Sequence, residues 1–256
     1  MQASLILHFT KQDLVDRYKG SLLGVLWNII MPLTMISIFV FVFSEIMGAR
    51  LANFDDRPYA YGIYLVSGIL FWNLFASTSQ RISQVFEEKK PLIKKNQIHL
   101  ITLPIYILLS ESVIFFISVL LFVGFLLLID APIGWNWGYL IPVYALTLLL
   151  GYVIGFSVAV FSVFIKDLKE LLKVVLQLWF WLTPIVYVIT ILPGAATQYL
   201  QLNPMYWVVT TSQNVVLYQT QPKWLALLTL LAVFTAAAWV LVVLTRKLEK
   251  DIRDFI

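Results

Sequence analysis

The sequence predicts an all-α integral membrane protein with six transmembrane helices, and three observations support this. Of its 256 residues, 61% are hydrophobic and only 12% charged, well outside the balance of a water-soluble domain. The apolar residues fall into six runs, 22–48, 59–82, 104–129, 139–165, 174–192 and 224–245. Each run has the roughly 17 to 25 residues, or slightly more, that cross about 30 Å of hydrocarbon as a helix. Finally, the runs are apolar all round and do not alternate polar with apolar, so they read as helices and not as strands of a barrel.

The first element, residues 1–21, is a cytoplasmic interface segment. It lacks the basic start, apolar centre and small-residue cleavage site of a secretory signal, so the first span is expected to stay as a structural helix. The chain then runs RYKGSLLGVLWNIIMPL over residues 17–33. Arg17 and Lys19 mark the membrane boundary. Gly20 and Gly24, four apart, offer a bare strip for a neighbouring helix, and Pro32 weakens the helical hydrogen-bond ladder. In the fourth span Gly151 and Gly155 form a similar pair.

Charge sets the orientation. Of 18 Lys and Arg, only Arg50, Arg57 and Lys223 fall on one side of the predicted spans. All the others flank the opposite side, so both termini face the cytoplasm. This bias and anionic lipid headgroups account for the net charge of +4, which therefore gives no reason to expect nucleic acid.

Three connections are distinctive. EEKKPLIKKNQ, within the 86–98 cytoplasmic link, places Pro91 where a first helical turn tolerates it and reads as a short surface helix. In KDLKELLK, residues 166–173, Leu168, Leu171 and Leu172 share one face. The external link 193–221 holds an apolar stretch from Met205 to Tyr218 that is too short to cross, so two short re-entrant or interfacial helices are expected there.

The chemistry available is narrow. The only histidines, His8 and His99, lie outside the spans, so a single copy cannot hold an intramembrane bis-histidine haem. With no cysteine, thiolate metal sites and disulfides are excluded. No Lys is followed by Ser or Thr, so the GxxxxGK[ST] phosphate loop is absent and the chain does not bind ATP in that way. Glu111 lies about 10 Å into the third span, either as a proton-relay carboxylate or as the structural partner of an edge cation such as Arg81 or Arg17.

The opening RY, SLLG and W, the distant KDLKELLKVVLQLWFWLTPIVY and the NPMY of residues 203–206 together resemble permease subunits of ABC-2 type exporters of bacterial polysaccharides, the group handling O-antigen, capsule and teichoic acid. The resemblance implies a homodimer in the bacterial cytoplasmic membrane, working with two copies of a separate cytoplasmic ATPase that binds ATP and magnesium. No cofactor belongs to this chain. It also implies that the partner contacts the region ending at Tyr18 and the coupling segment, with Glu87, Glu88, Lys89, Lys90 and Lys94 as candidates. The implied substrate is a glycan on an undecaprenyl pyrophosphate anchor, whose charge Arg17, Lys19 and Arg81 could meet. Sugar rings have apolar faces, so a conduit offers them aromatic surfaces: Trp27, Trp72, Phe75, Trp179, Trp181 and Tyr187 are the candidates. Trp179, Phe180 and Trp181 step about 100° apart on a helix and cannot all face one channel. An ABC-2 exporter of drugs or lipids and an ATP-independent secondary transporter remain as alternatives.

Overall fold

A computed structural model of the chain describes residues 2–46, 51, 59–95, 99–189 and 193–255. Arg50, Arg57, the end of the first predicted span and residues 96–98 of the coupling segment lie outside the described residues, as do 190–192 at the end of the fifth span. The described residues form helices α1 Gln2–Asp16, α2 Trp27–Val40, α3 Ala60–Ser83, α4 Val85–Glu88, α5 Lys90–Lys95, α6 Pro104–Leu128, α7 Leu140–Ser162, α8 Leu168–Trp181, α9 Gly194–Leu200, α10 Pro204–Gln213 and α11 Trp224–Phe255. They contain no strand.

Among the described residues, five helical stretches are long and apolar enough to cross a membrane: Gly24–Ser44, Ala60–Ser83, Leu100–Leu128, Trp135–Ser162 and Trp224–Phe255. They correspond to predicted spans one to four and six. α3 lies at the centre, with 78% of its apolar window buried, whereas α11, at 11%, turns most of its surface outward. In hydrocarbon there is no hydrophobic drive between helices, so close approach at small residues has to hold them together. Gly151 and Gly155 provide it: a Cβ on Gly155 would lie 2.5 Å from the Ser79 carbonyl oxygen, and one on Gly151 2.9 Å from the Thr78 side chain. The expected tight contact of the fourth span is therefore with α3 of the same chain.

Gly20 and Gly24 act differently from the expectation. Neither has an atom within 4 Å of where a Cβ would stand, so within the protomer they form no helix-packing strip. Their φ angles are +86° and +49°, and they make the turn that leads from α1 into the first span, a backbone shape that glycine adopts without steric cost.

The fifth predicted span differs most. α8 starts at Leu168, absorbing most of KDLKELLK, and ends at Trp181; its 14 residues reach only about 21 Å. Pro184 explains the stop, since the residue before a proline avoids helical geometry. Carbonyls freed beyond the break need partners, because hydrocarbon offers none. Asn203 Nδ2 donates to Leu182 O at 3.2 Å, Gln213 Nε2 to Pro184 O at 3.1 Å and the Tyr64 hydroxyl to Tyr187 O at 3.1 Å. The Tyr61 hydroxyl donates to Val186 O.

Asn203 does more than satisfy that carbonyl. Its Oδ1 accepts from Trp179 Nε1 at 2.7 Å and caps α10 through Met205 N–H at 2.9 Å. Two stretches far apart in sequence, LWFWLTPIVY and NPMY, are thereby joined into one structural unit. α10 then packs against α3, where a Cβ on Gly68 would lie 2.9 Å from Gln213 Nε2 and 3.1 Å from Val209.

Candidate functional site

At the α1 end of the bundle, four charged side chains converge. Asp13 sits in the last turn of α1, with Arg17 four residues later. Arg81 lies in the last turn of α3, and Glu111 two turns into α6. Arg81 Nη1 donates to Asp13 Oδ2 at 3.1 Å and to Glu111 Oε1 at 3.0 Å, while its Nη2 donates to Asp13 Oδ1. Arg17 Nη2 donates to Glu111 Oε1 and stands 3.5 Å from Asp13 Oδ2. Ser77, one turn before Arg81, donates to Glu111 Oε2 at 2.7 Å.

Each carboxylate thus meets both guanidinium groups, and the square carries no net charge. The Glu111 side chain is only 4% exposed, a position in which an unpaired carboxylate would be expensive. Burial pushes the Asp13 carboxyl up, but the Arg81 hydrogen bond and charge, with smaller contributions from Ser110 and then Arg17, outweigh it and hold Asp13 below its ordinary 3.8. Of the two roles considered for Glu111, the geometry places it in the structural pair, with both arginines at once.

Beside the square opens a cavity of about 340 Å³ between the α1–α2 turn, α2, α3 and α6. Its polar lining comes from Arg17, Asn28, Asn73, Ser77, Gln80, Glu111 and Ser118, Tyr18, Trp27 and Phe115 present rings to it, and aliphatic and Met side chains of α2, α3 and α6 make up the rest. Asn73, Ser77 and Gln80 are spaced i, i+4, i+7 and share one face of α3. Arg17 Nε and Asn28 Oδ1 are buried without a hydrogen-bond partner.

The six candidate aromatics separate. Trp27 lines this cavity. Trp72 and Phe75 are buried and pack edge to face on Phe180 and Trp179, with ring centroids 5.6 and 5.2 Å apart. Trp179 is further committed by its bond to Asn203. Trp181 is 63% exposed, so the 179–181 run divides as the helical step requires. Tyr187 lies half-buried beside Tyr64 in the non-helical segment after α8.

The coupling segment forms two short helices, α4 and α5, with Lys89 between them. Glu87, Glu88, Lys90 and Lys94 are exposed. Lys169, from the start of α8, pairs with Glu87; its hydrogen bond and charge hold that carboxyl below the ordinary carboxylate range. Lys89 turns inward, its ammonium 5.2 and 5.1 Å from the Phe9 and Tyr106 ring centres, a cation–π arrangement. From the far end of α11, Arg253 Nη1 donates to Ile93 O at 3.2 Å. Tyr18, grouped with this surface from the sequence, lines the cavity. Lys19 is exposed, 3.8 Å from Asp16.

Sequence reading passed over Asp13, Asn28, Asn73, Ser77 and Gln80. A signal existed for most of them. Asp13 and Arg17 have i, i+4 spacing, and Asn73, Ser77 and Gln80 recur along one face of the polar second half of α3. Among the described residues, no group of three or more His, Asp or Glu is placed to hold a metal.

These features define a multi-pass, all-helical membrane protein with a buried ion square and a polar cavity at one end. Residues 4–217 match the model of the ABC-2 type transporter family, and the chain belongs to that family. It is 27% identical over 205 residues to an O-antigen export system permease protein RfbA of Klebsiella pneumoniae, covering 78% of this chain and 75% of that protein. A Myxococcus xanthus protein of the same description is 26% identical over 245 residues, 92% of this chain and 88% of the relative.

Proposed function

We propose that this chain is the membrane-crossing subunit of an ATP-driven exporter of lipid-linked polysaccharide in the bacterial cytoplasmic membrane. Two copies form the conduit, and two copies of a separate cytoplasmic ATPase supply the power. α8 together with the segment after it makes the sixth crossing, both termini face the cytoplasm, and α9 and α10 dip into the outer leaflet. The observation that carries this reading is the polar cavity with aromatic rings, set in a bundle of the ABC-2 family whose described relatives are O-antigen export permeases.

The exposed Glu87, Glu88, Lys90 and Lys94 receive the ATPase, which moves α4 and α5 and, through Lys169 and Arg253, the ends of α8 and α11. At the membrane edge Lys19 meets the pyrophosphate of an undecaprenyl anchor first. Arg17 and Arg81 reach a phosphate only by releasing a carboxylate of the square. Deleting the chain from its host should abolish surface glycan while leaving lipid-linked glycan inside the cell, and re-expression should restore it. Unchanged surface glycan with lost drug tolerance would refute the proposal in favour of a drug exporter.

A further inference from the structure

The cavity's hydrogen-bonding inventory is selective. Asn28, only 4% exposed, brings a buried acceptor oxygen without a partner, and Arg17 brings a buried donor Nε without one. A hydroxyl group both donates and accepts, so hydroxyls can answer either kind of unpaired group, and leaving such groups unpaired is unfavourable. Asn73, Ser77 and Gln80 extend the same amide-and-hydroxyl surface along α3. The arginine charges beside it are already matched by Asp13 and Glu111. An entering anion therefore finds little uncompensated positive charge and the Glu111 carboxylate at the wall. Rings of Tyr18, Trp27 and Phe115 supply apolar surface for the C–H faces of a pyranose. The volume of about 340 Å³ falls at the small end of the range for ligand sites, about 300–1,000 Å³.

We infer that this cavity is a subsite for a neutral, hydroxyl-rich sugar unit. Asn28, Asn73, Ser77 and Gln80 bond its hydroxyls and Trp27 stacks on its face, while the ion square discriminates against anionic groups. The inference rests on the glycan-export reading above and adds to it where in the protomer the sugar is held and which charge type is accepted.

The test places a photocrosslinker at Met31, which lines the cavity and is 55% exposed. The full chain carrying Met31→p-benzoylphenylalanine is expressed with its partner in a host lacking the native copy, then irradiated during export. Restored surface glycan keeps the export reading whatever adduct forms. The expected adduct carries carbohydrate, shown by periodate staining and slowed migration, and falls about tenfold when Asn73→Leu and Gln80→Leu are added, as two lost hydrogen bonds predict. Surface glycan with only phospholipid adducts, or with none, overturns the subsite alone. A second measurement uses the purified complex in nanodiscs, following alkylation of Ala76→Cys, a cavity-lining position with no assigned bond to the sugar, in a chain that has no native cysteine. Mannobiose should slow labelling and inorganic pyrophosphate should not; protection by pyrophosphate, or by neither, overturns the assignment.

Discussion

Replacing Glu111 with Gln keeps the shape of the side chain and removes its charge. Arg17 and Arg81 would then share Asp13 alone, leaving one uncompensated positive charge among side chains that are about one-fifth exposed or less. Breaking a buried pair by removing one partner costs about 3–5 kcal/mol. The amide oxygen of Gln still accepts from a guanidinium, and Arg17 and Arg81 retain some water, so about 2–4 kcal/mol is expected here. Because the square ties α1 to α3 and α6, the loss should appear as release of α1. A cost of about 3 kcal/mol multiplies the population of the released form by about a hundred. Phe9 is the reporter position, since it is buried against Tyr106 with ring centroids 5.9 Å apart. In a Phe9→Cys background, thiol labelling in nanodiscs should accelerate strongly on adding Glu111→Gln. Adding Arg81→Gln should recover part of the stability, since one positive and one negative charge are then removed together. A Glu111→Gln protein that melts within about 0.5 kcal/mol of the parent and labels at the parent rate would refute the reasoning, surface substitutions being typically that mild.

Three further outcomes follow from the geometry. The Asp13 carboxyl is held below its ordinary 3.8 in the folded chain, so its contribution is fully present above that value and is lost as pH falls through the lower folded value; thermal stability should hold from pH 8 to about 5 and drop below about 4, and Asp13→Asn should blunt that acid limb in a melting series. Gly155→Ala drives a methyl to 2.5 Å from the Ser79 carbonyl oxygen and should cost about 1–3 kcal/mol, whereas Gly124→Ala meets nothing within 4 Å and should be neutral or stabilising by up to about 1 kcal/mol; detergent melting of the pair checks both. Asn203→Ala removes the α10 cap and the acceptor of Trp179, for a loss of about 2–4 kcal/mol and a changed Trp179 fluorescence.

Much of the fold was legible because hydropathy reports directly which segments leave water. Five of the six apolar runs correspond to helices long enough to cross, and helices too short to cross in the link between the fifth and sixth runs were readable from the shortness of its apolar part. Hydropathy does not distinguish a residue packed on protein from one facing lipid or a conduit, which is why Trp72 and Phe75, buried against Phe180 and Trp179, read like Trp27. The break after Trp181 was signalled by Pro184, but its tolerance depended on donors from Tyr61, Tyr64, Asn203 and Gln213, which are distant in sequence. Gly20 and Gly24 carried a packing spacing, while their positive φ angles follow from the turn between α1 and the first span. The partnership of Glu111 with Arg17 and Arg81 followed from the cost of a charge in hydrocarbon. The part played by Asp13 needed the three-dimensional placement of α1.

The most direct test of the account is transport by purified components. Vesicles containing this chain and its partner ATPase, loaded with lipid-linked glycan, should move glycan across the bilayer only when ATP and magnesium are added on the α4–α5 side, and an ATPase unable to hydrolyse should stop it. Equal movement by the chain alone, without nucleotide, would contradict the account.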